Sequence, residues 1–361
     1  MLVFPRARLA IVLVAPLLVG AAVMVQYTAA GPRQPAALVQ VSDVVTVKPV
    51  IRGLIDRQGA PPKAMLPVIH AYVVKVNWAD LQPTQGGPIV ANNPIDVAIA
   101  RVNKPDYAKL GMALKIRVVA GVGAPAWSKS LGGDPLPYYG SPAYGGGTGT
   151  IGRFWTSEFG AAYTDMENKL AAKYDSVPSI REVTVPRCTT MYDEPFVRDL
   201  GDPRNVATLL AAGYTVAADK QCILESIATQ DVWKHTTTDV DFSPFPLITN
   251  PNGRRDMTFT LATMDQCRAV LGLRCGLQNN SLSSAKLVDP SFTQLYAYMT
   301  TLGAPIEMQT TALADLGVPA DVLAAAGTIG ANSVELPSGY PKWPMSLLQQ
   351  GASAVVANPV S

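Results

Sequence analysis

Glu307 lies in Pro305-Ile306-Glu307-Met308-Gln309, a strand-like run where alternation sends Ile306 and Met308 one way and Glu307 the other, into a buried interior. A carboxylate there is expensive unless it is paired or used. A second acidic element, Asp193-Glu194-Pro195, follows the strand-like run Ile180 to Val185 after an intervening Arg187 to Tyr192, and Glu182 lies inside that run as an alternative to Glu194. Asp193 adds a like charge that would raise the pKa of its neighbour. Glu335 stands near the end of the last strand-like run, as a ligand for a hydroxyl group or as an ion-pair partner. Carboxyls of this kind can divide a task, one donating a proton and another attacking as a nucleophile. Other nucleophiles fail by inventory. There is no Gly-x-Ser-x-Gly elbow, and His70 and His235, the only histidines, have no supporting motif and read as structural. The cysteine spacings match no zinc site, so neither a metal nor another cofactor is expected.

The elements that must position these residues alternate along the chain. Strand-like runs are read at Val44 to Ile51, Ala71 to Asn77, Leu114 to Ala120, Ile180 to Val185, Thr236 to Phe242, Leu273 to Gln278, Pro305 to Gln309 and Asn332 to Leu336. Helical spacing is read at Phe154 to Tyr174, Ala217 to Gln230, Met257 to Leu271, Phe292 to Leu302 and Leu313 to Ala326. Eight strands with intervening helices predict an α/β fold, a single (β/α)8 TIM barrel with long βα loops. Its weak place is Gly53 to Leu66, where Pro61 and Pro62 make a poor helix. Long loops such as Gly132 to Gly152 then fall on the C-terminal rim, where barrels place their sites. No Gly-rich phosphate turn follows the first strand, which argues against a doubly wound sheet, and no internal repeat is present.

Four motifs occur in order on these strands: Val76-Asn77-Trp78-Ala79-Asp80-Leu81-Gln82-Pro83, Gly123-Ala124-Pro125-Ala126-Trp127, Asp193-Glu194-Pro195 and Pro305-Ile306-Glu307-Met308-Gln309. The set resembles the clan of (β/α)8-barrel retaining glycoside hydrolases that includes the family 5 cellulase-like enzymes and the family 42 β-galactosidases, over roughly Ala71 to Trp343. The resemblance implies cleavage of O-glycosidic bonds in an oligosaccharide or envelope polysaccharide, with Glu194 as acid/base and Glu307 as nucleophile. Retention of configuration needs two such carboxyls about 5 to 5.5 Å apart. The chain departs from the family where an Asn normally precedes the acid/base and here Asp193 stands. On this view Trp78, Trp127 and Trp343 could stack on sugar rings, and Asp193, Asn279, Asn280 and Glu335 could meet hydroxyl groups. The competing reading is a non-catalytic carbohydrate-binding or structural envelope barrel.

Arg6 and Arg8 precede an apolar run from Leu9 to Val25 and the small residues Thr28, Ala29 and Ala30, the pattern of a signal peptide cleaved after Ala30 or of an uncleaved signal anchor. Residues 1–30 are thus read as signal, 31–40 as linker and 41–361 as barrel, in a secreted or cell-surface protein that meets a membrane only through a retained N-terminal segment. Cys188, Cys222, Cys267 and Cys275 form an even set suited to two disulfides, with locality favouring Cys267 with Cys275. The 29 basic residues barely outnumber the 27 acidic ones, so the footprint of a nucleic-acid binder is missing and neutral substrates fit better. The expected partner is a carbohydrate.

Overall fold

The computed structural model describes residues 46–141, 146–184, 186–249 and 255–359. The signal and linker read at 1–30 and 31–40 lie outside the described residues. The strands are β1 (Gly53–Asp56), β2 (Ile69–Asn77), β3 (Ala113–Val119), β4 (Leu136–Tyr139), β5 (Thr148–Ile151), β6 (Ile180–Thr184), β7 (Thr237–Asp241), β8 (Cys275–Leu282), β9 (Ile306–Thr310) and β10 (Ser333–Leu336). Eight of them close into a barrel in the order β1-β10-β9-β8-β7-β6-β3-β2. Each neighbouring pair in it is parallel. The chain therefore has the expected (β/α)8 fold.

The helices are α1 (Trp78–Leu81), α2 (Pro94–Val102), α3 (Pro105–Ala108), α4 (Ala126–Lys129), α5 (Ser157–Tyr174), α6 (Pro203–Ala211), α7 (Val216–Thr229), α8 (Met257–Leu271), α9 (Pro290–Leu302), α10 (Pro319–Ile329) and α11 (Met345–Val356). Several begin at a side chain that accepts a backbone N–H of the first turn: Asn93 for α2, Thr156 for α5, Thr215 for α7, Asp256 for α8 and Asp289 for α9. Such a cap stabilises a helix by about 1 kcal/mol. Phe159, Tyr163, Met166 and Leu170 of α5 recur at helical spacing and are buried.

Three expectations need correction. The first strand is Gly53–Asp56, not Val44 to Ile51; the described part of that run, residues 46–51, is irregular. It passes beneath the barrel, where the Lys48 N–H donates to the His235 carbonyl at 2.7 Å and the Ile51 N–H to Glu182 Oε1 at 2.7 Å. A barrel strand needs two neighbours, and Gly53–Asp56 finds them in β10 and β2. It opens at Gly53 with φ +107°, where a Cβ would fall 2.4 Å from His70 Nδ1. The run Leu313 to Ala326 is a 3₁₀ turn at Leu313–Asp315 and then α10, split by Gly317 and the Pro319 start. The loop Gly132 to Gly152 contains an antiparallel hairpin, β4 with β5. No α-helix lies between β1 and β2, only a 3₁₀ turn at Lys63–Met65.

The barrel interior changes character along its axis. Ile51, Ile55, Ala71, Val73 and Ala113 form a dry apolar floor. Alternation then brings Lys115, Arg117, Glu182, Asp239, Asp241, Glu307 and Glu335 inward above it, all buried. The outer faces of the strands meet the helices in one large apolar core. Disulfides join Cys188 to Cys222 and Cys267 to Cys275, the pairing that locality favours.

Candidate active site

The deeper of two charged layers is organised by Lys115. Its Nζ lies 3.0 Å from Asp239 and 3.1 Å from Glu335, contacts Glu307 and donates to Gln278 Oε1 at 2.9 Å. The carboxylates keep this fully buried ammonium charged, with its pKa above the usual lysine range. Glu307 lies in this layer at the second residue of β9, not at the strand end. Burial, together with the charges of Asp239, Glu182 and Glu335, pushes its pKa well up against the pull of Lys115. Burial and Asp239 likewise push Glu182 up to about 8. Glu182, Asp239 and Glu307 bring one oxygen each within 4.8 Å of the others, a set that could hold a metal ion. The Lys115 ammonium already supplies a cation to two of them.

The upper layer opens at the C-terminal ends of the strands. Arg117 Nη2 lies 2.5 Å from Glu335 and its Nε 2.6 Å from Asp193, while Lys75 reaches the other oxygen of Asp193 at 3.5 Å. These cations hold Asp193 and Glu335 below the usual carboxylate range. Glu194 and Asp241 differ from both. The side chain of Glu194 accepts no hydrogen bond among the described residues, and its Oε2 is buried. Asp241 accepts the Asn280 N–H at 2.7 Å on Oδ1, while its buried Oδ2 has no partner. Burial, and then the charge of Glu194, push Asp241 well up. Burial and Asp193 raise Glu194, opposed by Arg198. Beside them the amide nitrogen of Asn280 and the amide oxygen of Gln309 are also buried without partners. Buried oxygens of Glu182, Asp239, Glu307 and Glu335 also lack hydrogen-bond partners, so unsatisfied polar atoms run from the interior up to the mouth, where a polar ligand could meet them.

The loop carrying Glu194 is braced from three sides. Cys188 ties it to α7. Arg187 binds the carbonyls of Phe154 and Thr156 at 3.0 and 2.9 Å and Glu225 at 2.8 Å. The Tyr138 hydroxyl of the β4–β5 hairpin donates to the Arg198 carbonyl at 2.5 Å. Gly121 packs so closely under this loop that a Cβ would fall 1.9 Å from the Thr190 carbonyl oxygen.

The residues read from sequence are thus dispersed. Asp193, Glu194, Asn280 and Glu335 meet at the mouth, and Glu307 lies in the layer below. The charged groups acting on Glu194 are Arg198, Asp193, Arg117 and Lys75, while those acting on Glu307 are Lys115, Asp239, Glu182 and Glu335, so the two glutamates have different charged surroundings. Trp78 is no sugar platform. It is completely buried, edge-on to Trp127 and Phe159 with centroids 5.6 Å apart, and its Nε1 donates to Gln82 at 3.0 Å. Trp127 is half-buried and donates to the Gln82 carbonyl at 3.2 Å, and Trp343 is half-buried after β10. Asn279 faces outward, donating to the Phe242 carbonyl at 2.7 Å and accepting from Tyr296 of α9 at 3.0 Å. Sequence reasoning missed Lys115, Arg117, Asp239, Asp241 and Arg57. Their signal was charge at every second residue of otherwise apolar strands, in Lys115-Ile116-Arg117 and Asp239-Val240-Asp241.

No protein-family model and no curated protein matches the chain. Solved structures similar to it include a GH5-4 broad-specificity endoglucanase from an uncultured bacterium, at 12% identity over 80% of this chain and 81% of the other, with a TM-score of 0.48. The lactosyl-enzyme intermediate of endo-glycoceramidase II from Rhodococcus sp. is similar at 15% identity over 81% and 75%, with a TM-score of 0.39. The catalytic domain of β-amylase from Paenibacillus polymyxa is similar at 11% identity over 84% and 91%, with a TM-score of 0.42. These are likenesses of fold; the closed barrel stands on its own strand pairing.

Proposed function

We propose that the chain is an exported retaining glycoside hydrolase that works at the C-terminal mouth of its barrel with Glu194 and Asp241 as its two carboxyls. The observation that carries this reading is two buried carboxyls at the mouth, each raised by burial and each with a buried oxygen lacking a partner. Like charges at one site disfavour double ionisation, so the mouth can offer an acid and an anion together. The acid's role is assigned to Asp241, raised by burial and by the charge of Glu194, and the anion's to Glu194, beside Arg198.

Asp241 gives its proton to the glycosidic oxygen as the bond from that oxygen to the anomeric carbon breaks, and a Glu194 oxygen bonds to the same carbon. Asp241, now ionised, then takes a proton from water, whose oxygen displaces Glu194 and restores the starting configuration. Asn280 and Gln309 supply a donor and an acceptor for sugar hydroxyls, and Trp343 remains as a stacking surface. Glu307, against Lys115 in the deeper layer, is assigned to the interior network instead of the nucleophile's role that the family resemblance implies. Two disulfides and the N-terminal pattern fit an oxidising compartment outside the cytoplasm.

The test is a screen of the mature chain against chromogenic glycosides, oligosaccharides and envelope polysaccharides, with Asp241→Asn as control. Hydrolysis by the wild type that the variant loses, with retained anomeric configuration, is expected. No hydrolysis of any substrate, or hydrolysis that Asp241→Asn leaves unchanged, overturns the reading.

A further inference from the structure

Two cations at the mouth are less well paired than the acids around them. Arg57 follows the last residue of β1, and its side chain is only half-buried. Ile55 belongs to the interior floor, so alternation turns Arg57 inward, one layer higher. Its guanidinium donates one hydrogen bond, to the Thr310 carbonyl at 2.6 Å, and has no ion pair within the described residues. Lys75 stands on the adjacent strand β2. Ala71 and Val73 also belong to the floor, so Lys75 too faces the mouth. Its side chain is 55% exposed, and its one ion pair, 3.5 Å to Asp193, is to a carboxylate that Arg117 already holds at 2.6 Å.

The two cations share one neighbourhood. The carboxylates acting on Arg57 are Glu335, Asp193 and Glu194. Those facing Lys75 are Asp193, through its ion pair, and Glu194, which Lys75 acts on in turn. Arg57, Lys75, Arg117 and Arg198 thus look onto Asp193, Glu335, Glu194 and Asp241. Of these cations Arg57, with one hydrogen bond, and Lys75, with one long ion pair, keep donors free, on the side of the mouth where Lys75 and Asn77 are exposed. Burial lowers the pKa of Arg57, a sign of a guanidinium taken from water without full compensation.

We infer that the glycan bound at this mouth carries a carboxylate, and that Arg57 and Lys75 hold it. The planar fork of Arg57 has free donors for a bidentate grip, and Lys75 adds a point charge. The substrate class is then an acidic oligosaccharide, built on a uronic or sialic acid. This inference rests on the reading of the mouth as a glycan site and names what that glycan carries.

The experiment measures binding by the mature chain to oligosaccharides containing glucuronate, galacturonate, mannuronate or sialic acid, each beside its carboxyl-reduced neutral form. At least one acidic member should bind tenfold or more tightly than its reduced partner, with the preference shrinking as salt is raised. Arg57→Gln with Lys75→Gln should bring the pair to within about threefold of each other, and Arg57→Lys should keep part of the preference, since charge survives where the fork is lost. Lys75→Gln alone changes a largely exposed side chain and repeats the test if the Arg57 variants fold poorly. No acidic member bound, equal affinity within every pair, or a preference that the double variant keeps overturns the inference. Hydrolysis is followed in the same samples. Preferential binding without cleavage sinks the hydrolase reading and leaves this one standing; cleavage of neutral glycans that the double variant does not alter does the reverse.

Discussion

Arg117 Nε lies 2.6 Å from a carboxylate oxygen of Asp193, so a residue of the third barrel strand clasps the loop that follows the fourth. The same guanidinium reaches Glu335 on β10, and both acids are buried. The loop and the far wall of the mouth are thereby held by one cation. This ion pair gives Asp193 a physical role.

Arg117→Met should therefore remove the nearest cation from two buried carboxylates and leave Glu335 to Lys115 and Asp193 to Lys75, a loss of about 2 to 3 kcal/mol at neutral pH, below the roughly 3 to 5 kcal/mol of a fully unpaired buried charge. Asp193 and Glu335 both have depressed pKa values in the folded chain. Their contribution is fully present above the ordinary carboxylate range and is lost as pH falls through the folded values. Urea denaturation from pH 7 down to pH 3 should show the gap between wild type and variant narrowing with acid. A gap that is constant, or under about 1 kcal/mol at pH 7, would exclude a clasp of this kind.

Glu167 sits completely buried in α5, accepting from Trp233 Nε1 at 2.9 Å and from the Tyr163 hydroxyl at 2.9 Å. Burial raises its pKa to about 7 despite these donors. The folded chain binds this proton more tightly than the unfolded one, so stability should fall as pH rises from about 4.5 toward 7, by at most about 1.4 kcal/mol per pH unit. Glu167→Gln should remove that part of the slope. A variant with the wild-type pH dependence would show that Glu167 does not titrate in this range.

The two disulfides should be unequal. The Cys188–Cys222 bridge spans 34 residues and the Cys267–Cys275 bridge 8. Loop closure alone then assigns about 4 kcal/mol to the first and about 2.5 to the second. The first also anchors the loop of Glu194, so Cys188→Ser with Cys222→Ser should lower kcat as well as the melting temperature. Cys267→Ser with Cys275→Ser should lower the melting temperature alone. Equal effects on kcat, measured below both melting transitions, would show that the loop does not need its tether.

The fold was legible because seven of the eight barrel strands read as strand-like runs separated by turn signals, even though their inner faces carry charged or polar residues. The first was misplaced because Gly53–Asp56 is only four residues long, while Val44 to Ile51 reads as more strand-like, yet its described part, residues 46–51, is irregular. Glu194, Asp193 and Glu335 could be found as acids near strand ends. Glu307 was correctly turned inward by alternation, but its depth depends on where β9 starts relative to its neighbours, a register fixed by pairing Glu307 with Gln278 and Ser333. Trp78 followed a strand as a rim residue would, yet α1 begins at once and folds its ring outward against Phe159 of α5. Asn279 and Asn280 are adjacent in sequence and opposite in direction, because β8 continues to Leu282. Asp241 and Arg57 escaped notice because neither sits in a motif; each matters only through what stands across the barrel from it.

The division between a working mouth and a supporting interior is tested most directly by one side-by-side measurement of kcat/KM on a substrate the wild type cleaves. Glu194→Gln, Asp241→Asn and Glu307→Gln are compared, each at a temperature well below its melting transition. Removing a carboxyl that takes part in the chemistry should lower the rate by about 10²- to 10⁴-fold or more. The account predicts such losses for Glu194→Gln and Asp241→Asn, and a loss under about tenfold for Glu307→Gln, whose side chain belongs to the interior network around Lys115. An inactive Glu307→Gln beside an active Asp241→Asn would contradict it.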